Sequence, residues 1–317
     1  MLSQQQLDFF ESKGYLVVED VLDQATILNP IRKEYSKLLD GLIDDWVQEK
    51  KINMPTDCTG FYDKLLCAYK SGCDWFQPMD ISLPGDKIRY DTPMHFSLNT
   101  FNLLTSPSIL DIVEQLIGPE ITSNPIQHVR LKPPACALNS EENRAHISKT
   151  DWHQDRGVTL SDADKTNMIT VWIAVSDATI DNGCLQVIPK RLSATLMPHC
   201  GKRQTSIVDS FINVSEAISL PVKSGGLVIF HPLTPHSSLD NLTNKFRWSF
   251  DVRYNRTGES TGRNHFPEFI ARSKSSPEKE LKNWRHWKKM WELTRNRLAN
   301  QEHISLHRWQ ADSPNCA

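Results

Sequence analysis

The chain has 317 residues, a length that allows one large domain with a sizeable core. It contains 36 Lys and Arg against 38 Asp and Glu, and the formal net charge of −2 gives no overall attraction to nucleic acid or to an anionic membrane. With 39% hydrophobic and 23% charged residues, the composition is that of an ordinary soluble globular protein.

The N-terminal part of the chain predicts helices that support a core. A capped helix is expected over residues 3–13, and a strand over 15–18. Residues 26–46 carry apolar side chains at helical spacing, whereas residues 50–97 show no clear period and are expected to form loops with short elements. A second firm helix is expected over 106–118, where a serine cap is followed by a proline at the first helical position.

Further along, the chain changes to short runs of β-branched and aromatic residues that are separated by turns. These runs span residues 126–131, 170–175, 185–188, 227–230 and 246–252. Helices followed by many short strands favour an α+β fold in which an antiparallel sandwich or barrel carries the functional site.

Residues 276–300 return to a helical pattern, with tryptophans on one face and lysines around them. Basic residues beside aromatic rings are compatible with a phosphate or nucleic-acid surface. Aromatic residues at helical spacing more often belong to a core, with the lysines extending past it to solvent, and we favour that interpretation.

Cysteine usage and the two termini bear on location. The cysteines are odd in number and contain no C-x-x-C pair, so we expect neither a disulfide framework nor a zinc site, and a reducing compartment fits best. They are Cys58, Cys67, Cys73, Cys136, Cys184, Cys200 and Cys316. The start of the chain has no signal-peptide pattern, no run of about 18 apolar residues occurs, and the last residues are not Ser-Lys-Leu. We therefore expect a cytoplasmic protein with no membrane partner.

The candidate chemistry begins at Trp152-His153-Gln154-Asp155. In an extended strand alternate side chains share a face, so His153 and Asp155 point together and Gln154 points away. With one more histidine they would form a two-histidine, one-carboxylate metal site, which leaves three adjacent positions open and suits non-haem Fe(II). Arg156 comes next, and two interpretations of it stay open: a substrate contact at the pocket rim, or a solvated charge.

A second group of polar residues lies about eighty positions downstream. A hairpin that joins strands 227–230 and 246–252 can bring His236, Ser238 and Arg247 into one pocket. His236 would complete the metal triad. Arg247 offers a planar fork that binds a carboxylate, and Ser238 can donate a hydrogen bond to the same carboxylate.

Alternatives remain for two of these residues. His236 could be a core histidine, and Arg247 could pair with Asp251 or Asp240. His231 follows the same strand and competes for the third ligand position. We favour His236, because its place relative to Arg247 joins a metal site to a carboxylate site.

With these motifs in order, the sequence resembles the phytanoyl-CoA dioxygenase family of Fe(II)/2-oxoglutarate oxygenases. The resemblance covers most of residues 3–252 and rests on residues 10–18, 152–155, 171–175, 181–189 and His236-x-Ser238-x-x-Asn241 followed by Arg247. One departure is visible, because the family usually has Pro-Gly-Ser-His where this chain has Pro189-Lys190-Arg191-Leu192.

The resemblance implies a double-stranded β-helix core of the jelly-roll, cupin-like type with flanking α-helices. On this basis we expect a single oxygenase domain over residues 1–317. Residues 1–120 would form a mainly helical N-terminal support, 121–255 the β-helix core, and 276–300 the C-terminal helix.

The resemblance also implies the site and its cofactors. Fe(II) would be held by His153, Asp155 and His236, and 2-oxoglutarate by Arg247. Further contacts to the cosubstrate are implied for Ser238, Trp172 and Gln127. The expected reaction converts 2-oxoglutarate and O2 to succinate and CO2 while a substrate C–H bond is oxidised, by default to a hydroxyl group.

The expected partner is a small organic metabolite, not a protein or nucleic acid, because enclosed pockets suit small ligands and the net charge is not basic. The protein is expected to act as a monomer or homodimer. Arg253, Arg256 and Arg263 are candidates for contacts to an acidic substrate. The alternatives are an acyl-CoA hydroxylase and a non-catalytic small-molecule binding protein on the same scaffold.

Overall fold

A computed structural model describes the chain over residues 1–53, 58–73, 76–138, 147–189, 195–201, 204–301, 304–306, 308–309 and 316. The Lys190-Arg191-Leu192 departure from the family pattern lies outside the described residues.

Six α-helices occur in the described part of the chain. They are α1 Gln4–Lys13, α2 Asn29–Gln48, α3 Phe61–Lys70, α4 Leu98–Leu104, α5 Pro107–Ile117 and α6 Trp284–Leu298. The first is confirmed in detail: the Ser3 hydroxyl accepts from the Gln6 amide, the Gln6 side chain accepts from the Ser3 amide, and Gly14 ends the helix at φ 77°. These bonds satisfy amide groups that a helix start leaves free.

Three helix predictions need correction. Residues 50–97 were expected to form mainly loops, but they contain the ten-residue helix α3. The C-terminal helix begins at Trp284 with Asn283 as its cap, since Pro277–Lys279 forms only a short 3-10 turn. Ser106 precedes α5 but makes no side-chain capping bond.

Eleven strands occur among the described residues. They are β1 Tyr15–Val18, β2 Glu120–Lys132, β3 Met168–Ala174, β4 Leu185–Val187, β5 His199–Gly201, β6 Thr205–Ile207, β7 Ile218–Leu220, β8 Leu227–Phe230, β9 His236–Ser238, β10 Arg247–Arg256 and β11 Phe269–Ser273. A six-stranded major sheet has the order β1-β8-β3-β10-β2-β11, and a three-stranded minor sheet has the order β7-β4-β9. The pairings within both sheets are antiparallel.

The two faces of the major sheet have different neighbours, because successive residues of a strand point to opposite sides. On one face Val171, Ile173, Trp248 and Phe250 join the core formed with the helices. On the other face a second core, which includes Trp172 of β3, packs against Leu185 and Val187 of the minor sheet. The result is the α+β, jelly-roll architecture that was predicted, with helices flanking two layers of sheet.

The C-terminal helix is part of the core. Trp287 and Trp291 are buried and contact the ring of Phe96, which confirms the packing interpretation of this tryptophan-rich segment. Among the described residues, no helix is long and apolar enough to cross a membrane.

Two further expectations were wrong. The structure joins Cys58 to Cys67 and Cys200 to Cys316 as disulfides, although cysteine spacing gave no sign of a bonded pair. The predicted hairpin between β8 and β10 is absent, because β3 lies between them. His236 and Ser238 instead form the short strand β9 of the minor sheet.

Candidate metal centre

Three buried side chains meet where the two sheets face each other. One potential ligand atom each from His153, Asp155 and His236 lies within 4.8 Å of the other two. The Nε2 atoms of His153 and His236 are each 3.8 Å from an oxygen of Asp155. Two imidazoles and one carboxylate at this spacing can hold a divalent transition metal and leave neighbouring coordination positions open.

The main chain brings the two histidines together. The His153 amide donates to the His236 carbonyl at 3.0 Å, and the His236 amide donates to the His153 carbonyl at 2.9 Å. Each ring places Nδ1 against the carbonyl oxygen two residues earlier, at 2.8 Å for Asp151 and 3.0 Å for Thr234. The proton therefore belongs on Nδ1, and Nε2 is left to bind a metal.

Asp155 enters the cluster from a different backbone conformation than the two histidines. It begins a 3-10 turn over Asp155–Val158, and His153 makes only an isolated bridge to His236, so the prediction of an extended strand for this motif was wrong. The Asp155 side chain is fully buried and accepts hydrogen bonds from Arg253 at Oδ1 and from Thr170 at Oδ2.

Two of these ligand candidates have perturbed protonation. Burial, together with the neighbouring His236, lowers the pKa of His153 to about 3, so its imidazole is neutral near pH 7. Burial alone would raise the pKa of Asp155, but Arg253, the two histidines and the Thr170 hydroxyl together outweigh it and hold that pKa well below its usual value. Neutral imidazole and ionised carboxylate are the forms that coordinate metals.

Other histidines near the motif have different partners. His199 Nε2 accepts from the Gln154 amide at 3.0 Å, and His231 Nδ1 accepts from the Leu233 amide at 3.2 Å. The described cluster of potential ligands contains His236, not His231.

A cavity extends from His153 and His236 of this cluster to Arg247. Arg247 is 2% exposed. Its Nη1 donates to the Gly183 carbonyl at 2.6 Å, and its guanidinium carbon lies 5.0 Å from the centre of the Trp172 ring. Ser238 also lines the cavity, so the structure brings His153, His236, Ser238, Trp172 and Arg247 to one place.

The Arg247 end of the cavity is strongly cationic. Lys132 lies directly across from Arg247 on β2, and its side chain is also buried. Burial, followed by the charge of Arg130, lowers the pKa of Arg247 to about 9. Burial, followed by the charge of Arg247, lowers the pKa of Lys132 well below its usual value. Two crowded cations of this kind favour the binding of an anion.

Donor groups at this end match an anionic ligand. The buried Nε of Arg247 and Nε1 of Trp172 have no hydrogen-bond partner in the described part of the chain, and unsatisfied buried donors are costly. The Ser238 hydroxyl accepts from Lys132 Nζ at 2.8 Å and from the Thr150 amide at 2.9 Å, which leaves its hydrogen for a ligand. The residues present therefore fit a carboxylate at this end and a metal at the other.

Several candidate residues lie elsewhere. Gln127 does not line the cavity, and its amide donates to the Ile81 carbonyl at 2.6 Å. Both interpretations of Arg156 were wrong, since it is buried and donates to the carbonyls of Ala163 and Thr166.

Of the arginines proposed for an acidic substrate, Arg263 donates to the Val158 carbonyl at 2.7 Å and Arg256 to the Ile117 carbonyl at 3.4 Å. Arg253 donates to Asp155. All three thus have partners within the protein.

Sequence reasoning missed three residues of the site, namely Lys132, Thr170 and Arg253. Thr170 lines the cavity, Lys132 and Arg253 lie on the same side of the major sheet, and each of the three contacts a residue that the motifs had singled out. The alternation along β10 was a usable signal for Arg253, which shares the face of Arg247. Which residues lie opposite each other on neighbouring strands depends on the register of the two strands. The sequence of one strand alone does not reveal that register.

A jelly-roll core that encloses a buried two-histidine, one-carboxylate cluster is typical of the non-haem iron oxygenases. Comparison with known proteins agrees. The family model described as phytanoyl-CoA dioxygenase matches residues 10–249, and the chain belongs to this family. The predicted enzyme class, a dioxygenase, is thereby confirmed, and the cluster of His153, Asp155 and His236 offers the ligand types that the predicted Fe(II) needs.

Curated relatives carry the family name. The chain is 26% identical over 265 residues to a probable phytanoyl-CoA dioxygenase of Caenorhabditis elegans, covering 80% of this chain and 75% of the relative. It is 24% identical over 291 residues to the human peroxisomal phytanoyl-CoA dioxygenase, covering 89% of this chain and 75% of that protein.

Solved structures support the fold. The non-heme monooxygenase ThoJ in its apo form matches with a TM-score of 0.58 at 17% identity, over 94% of this chain and 98% of ThoJ. EvdO2 from Micromonospora carbonacea var. aurantiaca, solved with 2-oxoglutarate, matches with a TM-score of 0.53 at 19% identity, over 82% of this chain and 94% of EvdO2.

Proposed function

We propose that this protein is an Fe(II)/2-oxoglutarate-dependent dioxygenase that oxidises a C–H bond of a small organic metabolite, with hydroxylation as the default outcome. One observation supports the proposal most strongly: in the buried cluster of His153, Asp155 and His236, both histidines line a cavity that the buried cation Arg247 also lines. A metal site and a carboxylate site at opposite ends of one cavity suit a cosubstrate that has a keto acid at one end and a carboxylate at the other.

In this proposal His153, Asp155 and His236 hold Fe(II), and Arg247 binds the far carboxylate of 2-oxoglutarate. Bound together, these cofactors supply the oxidation of a substrate C–H bond by O2, with succinate and CO2 as coproducts.

The remaining residues position these groups. The Ser238 hydroxyl donates to the same carboxylate as Arg247, and the Trp172 indole N–H turns to the cosubstrate. Phe230 stacks on the His236 ring, with centroids 4.4 Å apart and planes within 11°, so it fixes the ring and keeps water from that side. Gln127 is not carried into the proposed cosubstrate site, because its amide is directed at Ile81.

The substrate is proposed to be small, because the cavity is lined mostly by buried side chains and must hold the cosubstrate as well. An acyl-CoA, as the names of the relatives suggest for those proteins, is the second candidate. Its long chain would have to leave the cavity, whose lining includes the charged residues Arg130 and Asp251.

The test uses the purified full chain. Anaerobic Fe(II) with 2-oxoglutarate is expected to give a weak visible charge-transfer band, and admission of O2 is expected to yield succinate. A panel of small metabolites and acyl-CoA esters is then assayed for faster succinate release and for an oxidised product. No band and no succinate under any condition would overturn the oxygenase proposal and favour the binding-protein alternative. Stimulation by acyl-CoA esters alone would replace the small substrate with the second candidate.

A further inference from the structure

Two partners from adjacent strands hold the carboxylate of Asp155. Arg253 donates to Oδ1 and the Thr170 hydroxyl donates to Oδ2. Arg253 on β10 and Thr170 on β3 are register partners, so they lie side by side and point to the same face of the major sheet. The pair therefore meets both oxygens of one carboxylate at once.

This support is rigid. The exposed fractions are 2% for Arg253, 2% for Thr170 and 0% for Asp155, so none of the three side chains has room to exchange partners with water. Arg253 is fixed at a second point, because Nη1 donates to the Ile126 carbonyl at 3.4 Å. Its Nη1 also lies 3.8 Å from Asp251, which is in turn paired with Arg130 at 2.6 Å.

A carboxylate buried to this degree needs a positive partner, since an isolated buried charge is costly. Arg253 supplies this charge in the absence of a metal. Arg253 and Thr170 can therefore hold the Asp155 carboxylate in place before a metal arrives, which reduces the reorganisation that metal binding requires.

We propose that Arg253 and Thr170 form a positioning pair for the metal centre, and that they fix the orientation of Asp155 and thereby set how tightly the site retains its metal. The inference rests on the proposed function, because it takes Asp155 as a metal ligand. Neither residue touches the metal or the substrate. Their role is exerted through the carboxylate.

Simple electrostatics makes the opposite prediction for Arg253. A guanidinium beside a divalent cation repels it, so removal of the charge alone would tighten metal binding. The positioning role predicts weaker binding, because partners that orient a ligand are typically worth about 10–100-fold in metal affinity. The sign of the change therefore distinguishes the two interpretations.

The experiment titrates the full-length apoprotein with Co(II) alone and follows the visible d–d bands, which report both affinity and coordination geometry. For Arg253→Met, the Kd is expected to rise about 10–100-fold with an altered band shape. For Thr170→Val, a rise of about tenfold is expected, in keeping with the loss of one hydrogen bond to a charged group. Thr170→Ser keeps the hydroxyl and is expected to restore wild-type affinity.

Matched controls address the general cost of removing buried polar groups. Arg295→Met removes an arginine that donates to the Thr92 carbonyl at 3.1 Å, and Thr166→Val removes a hydroxyl that donates to the Ser260 carbonyl at 2.7 Å. Both are expected to leave the Co(II) Kd and spectrum unchanged. If Arg253→Met does not fold, Arg253→Lys and Thr170→Val are used instead. Lysine keeps the positive charge but loses the hydrogen bond to the Ile126 carbonyl, so an intermediate loss of Co(II) affinity is expected.

The outcomes are separable. Unchanged or tighter Co(II) binding in the Arg253 and Thr170 variants, with binding intact in the wild type, would overturn the positioning pair and leave the oxygenase proposal standing. Failure of the wild type itself to bind Co(II) at His153, Asp155 and His236 would overturn both.

Discussion

The two ends of the cavity differ in how their polar groups are satisfied. At the metal end, His153, His236 and Asp155 already have partners for the atoms that face away from the centre. At the other end, the Nε of Arg247 and the Nε1 of Trp172 are buried and have no hydrogen-bond partner in the described part of the chain. The metal end is therefore built before its ligand arrives, whereas the Arg247 end is completed by one. Substitutions at each end should therefore have separate effects.

Removal of a histidine ligand should abolish metal binding and leave the Arg247 end of the cavity intact. For His153→Ala, we expect metal binding and succinate formation to fall to background, because two side chains cannot hold the ion as three do. The free energy of unfolding, measured by urea titration, should change little beyond the loss of packing. Near-normal turnover in this variant would contradict the ligand assignment. Asp164→Asn, which changes a nearby acid outside the cluster, is the control.

Removal of the carboxylate ligand should lower the free energy of unfolding as well as abolish metal binding. Asp155→Ala leaves the Arg253 guanidinium buried without its partner, and breaking a buried ion pair in this way costs about 3 kcal/mol or more. We expect this variant to unfold at clearly lower urea concentration than His153→Ala when both are metal-free. Equal stability of the two variants would show that Arg253 does not depend on Asp155.

The cosubstrate end should respond independently of the metal end. Arg247→Leu should raise the KM for 2-oxoglutarate about 100-fold, because a buried charge that binds a carboxylate typically contributes 2–5 kcal/mol or so. Co(II) affinity, measured without 2-oxoglutarate, should remain that of the wild type. A large loss of Co(II) binding would show that the two ends are not separable.

The smallest effect is expected at Ser238. Ser238→Ala removes one hydrogen-bond donor to the carboxylate, and a bond to a charged group is worth about tenfold in affinity. The KM for 2-oxoglutarate should rise by this factor with little change in kcat. An unchanged KM would mean that the Ser238 hydroxyl does not donate to the carboxylate of 2-oxoglutarate.

Elements with a clear local pattern could be predicted from the sequence. β1 and β8 have the predicted bounds, because each is a short apolar run between clear turn signals. The alternation along β10 correctly separated Trp248 and Phe250 from Arg247. In contrast, β9 has three residues, His236–Ser238, which is too short for any periodic pattern to stand out.

Other features could not be seen because they depend on pairings across long sequence distances. Thr170 and Arg253 are neighbours only through the register of β3 and β10. Cys200 and Cys316 are 116 residues apart, and odd cysteine counts give no pairing. Helix α3 was missed since the Gly and Pro residues scattered over positions 50–97 hide its ten-residue pattern.

The pair of main-chain hydrogen bonds between His153 and His236 also limits the motion of the metal centre. The same two hydrogen bonds that align the imidazoles tie a loop to a strand of the minor sheet, so a fluctuation that releases one ring must release the other. The main chain therefore sets the distance between the two imidazoles. Side chains around the cavity can diverge to accept new substrates while this spacing stays constant, which is one physical route by which a single scaffold serves many oxidations.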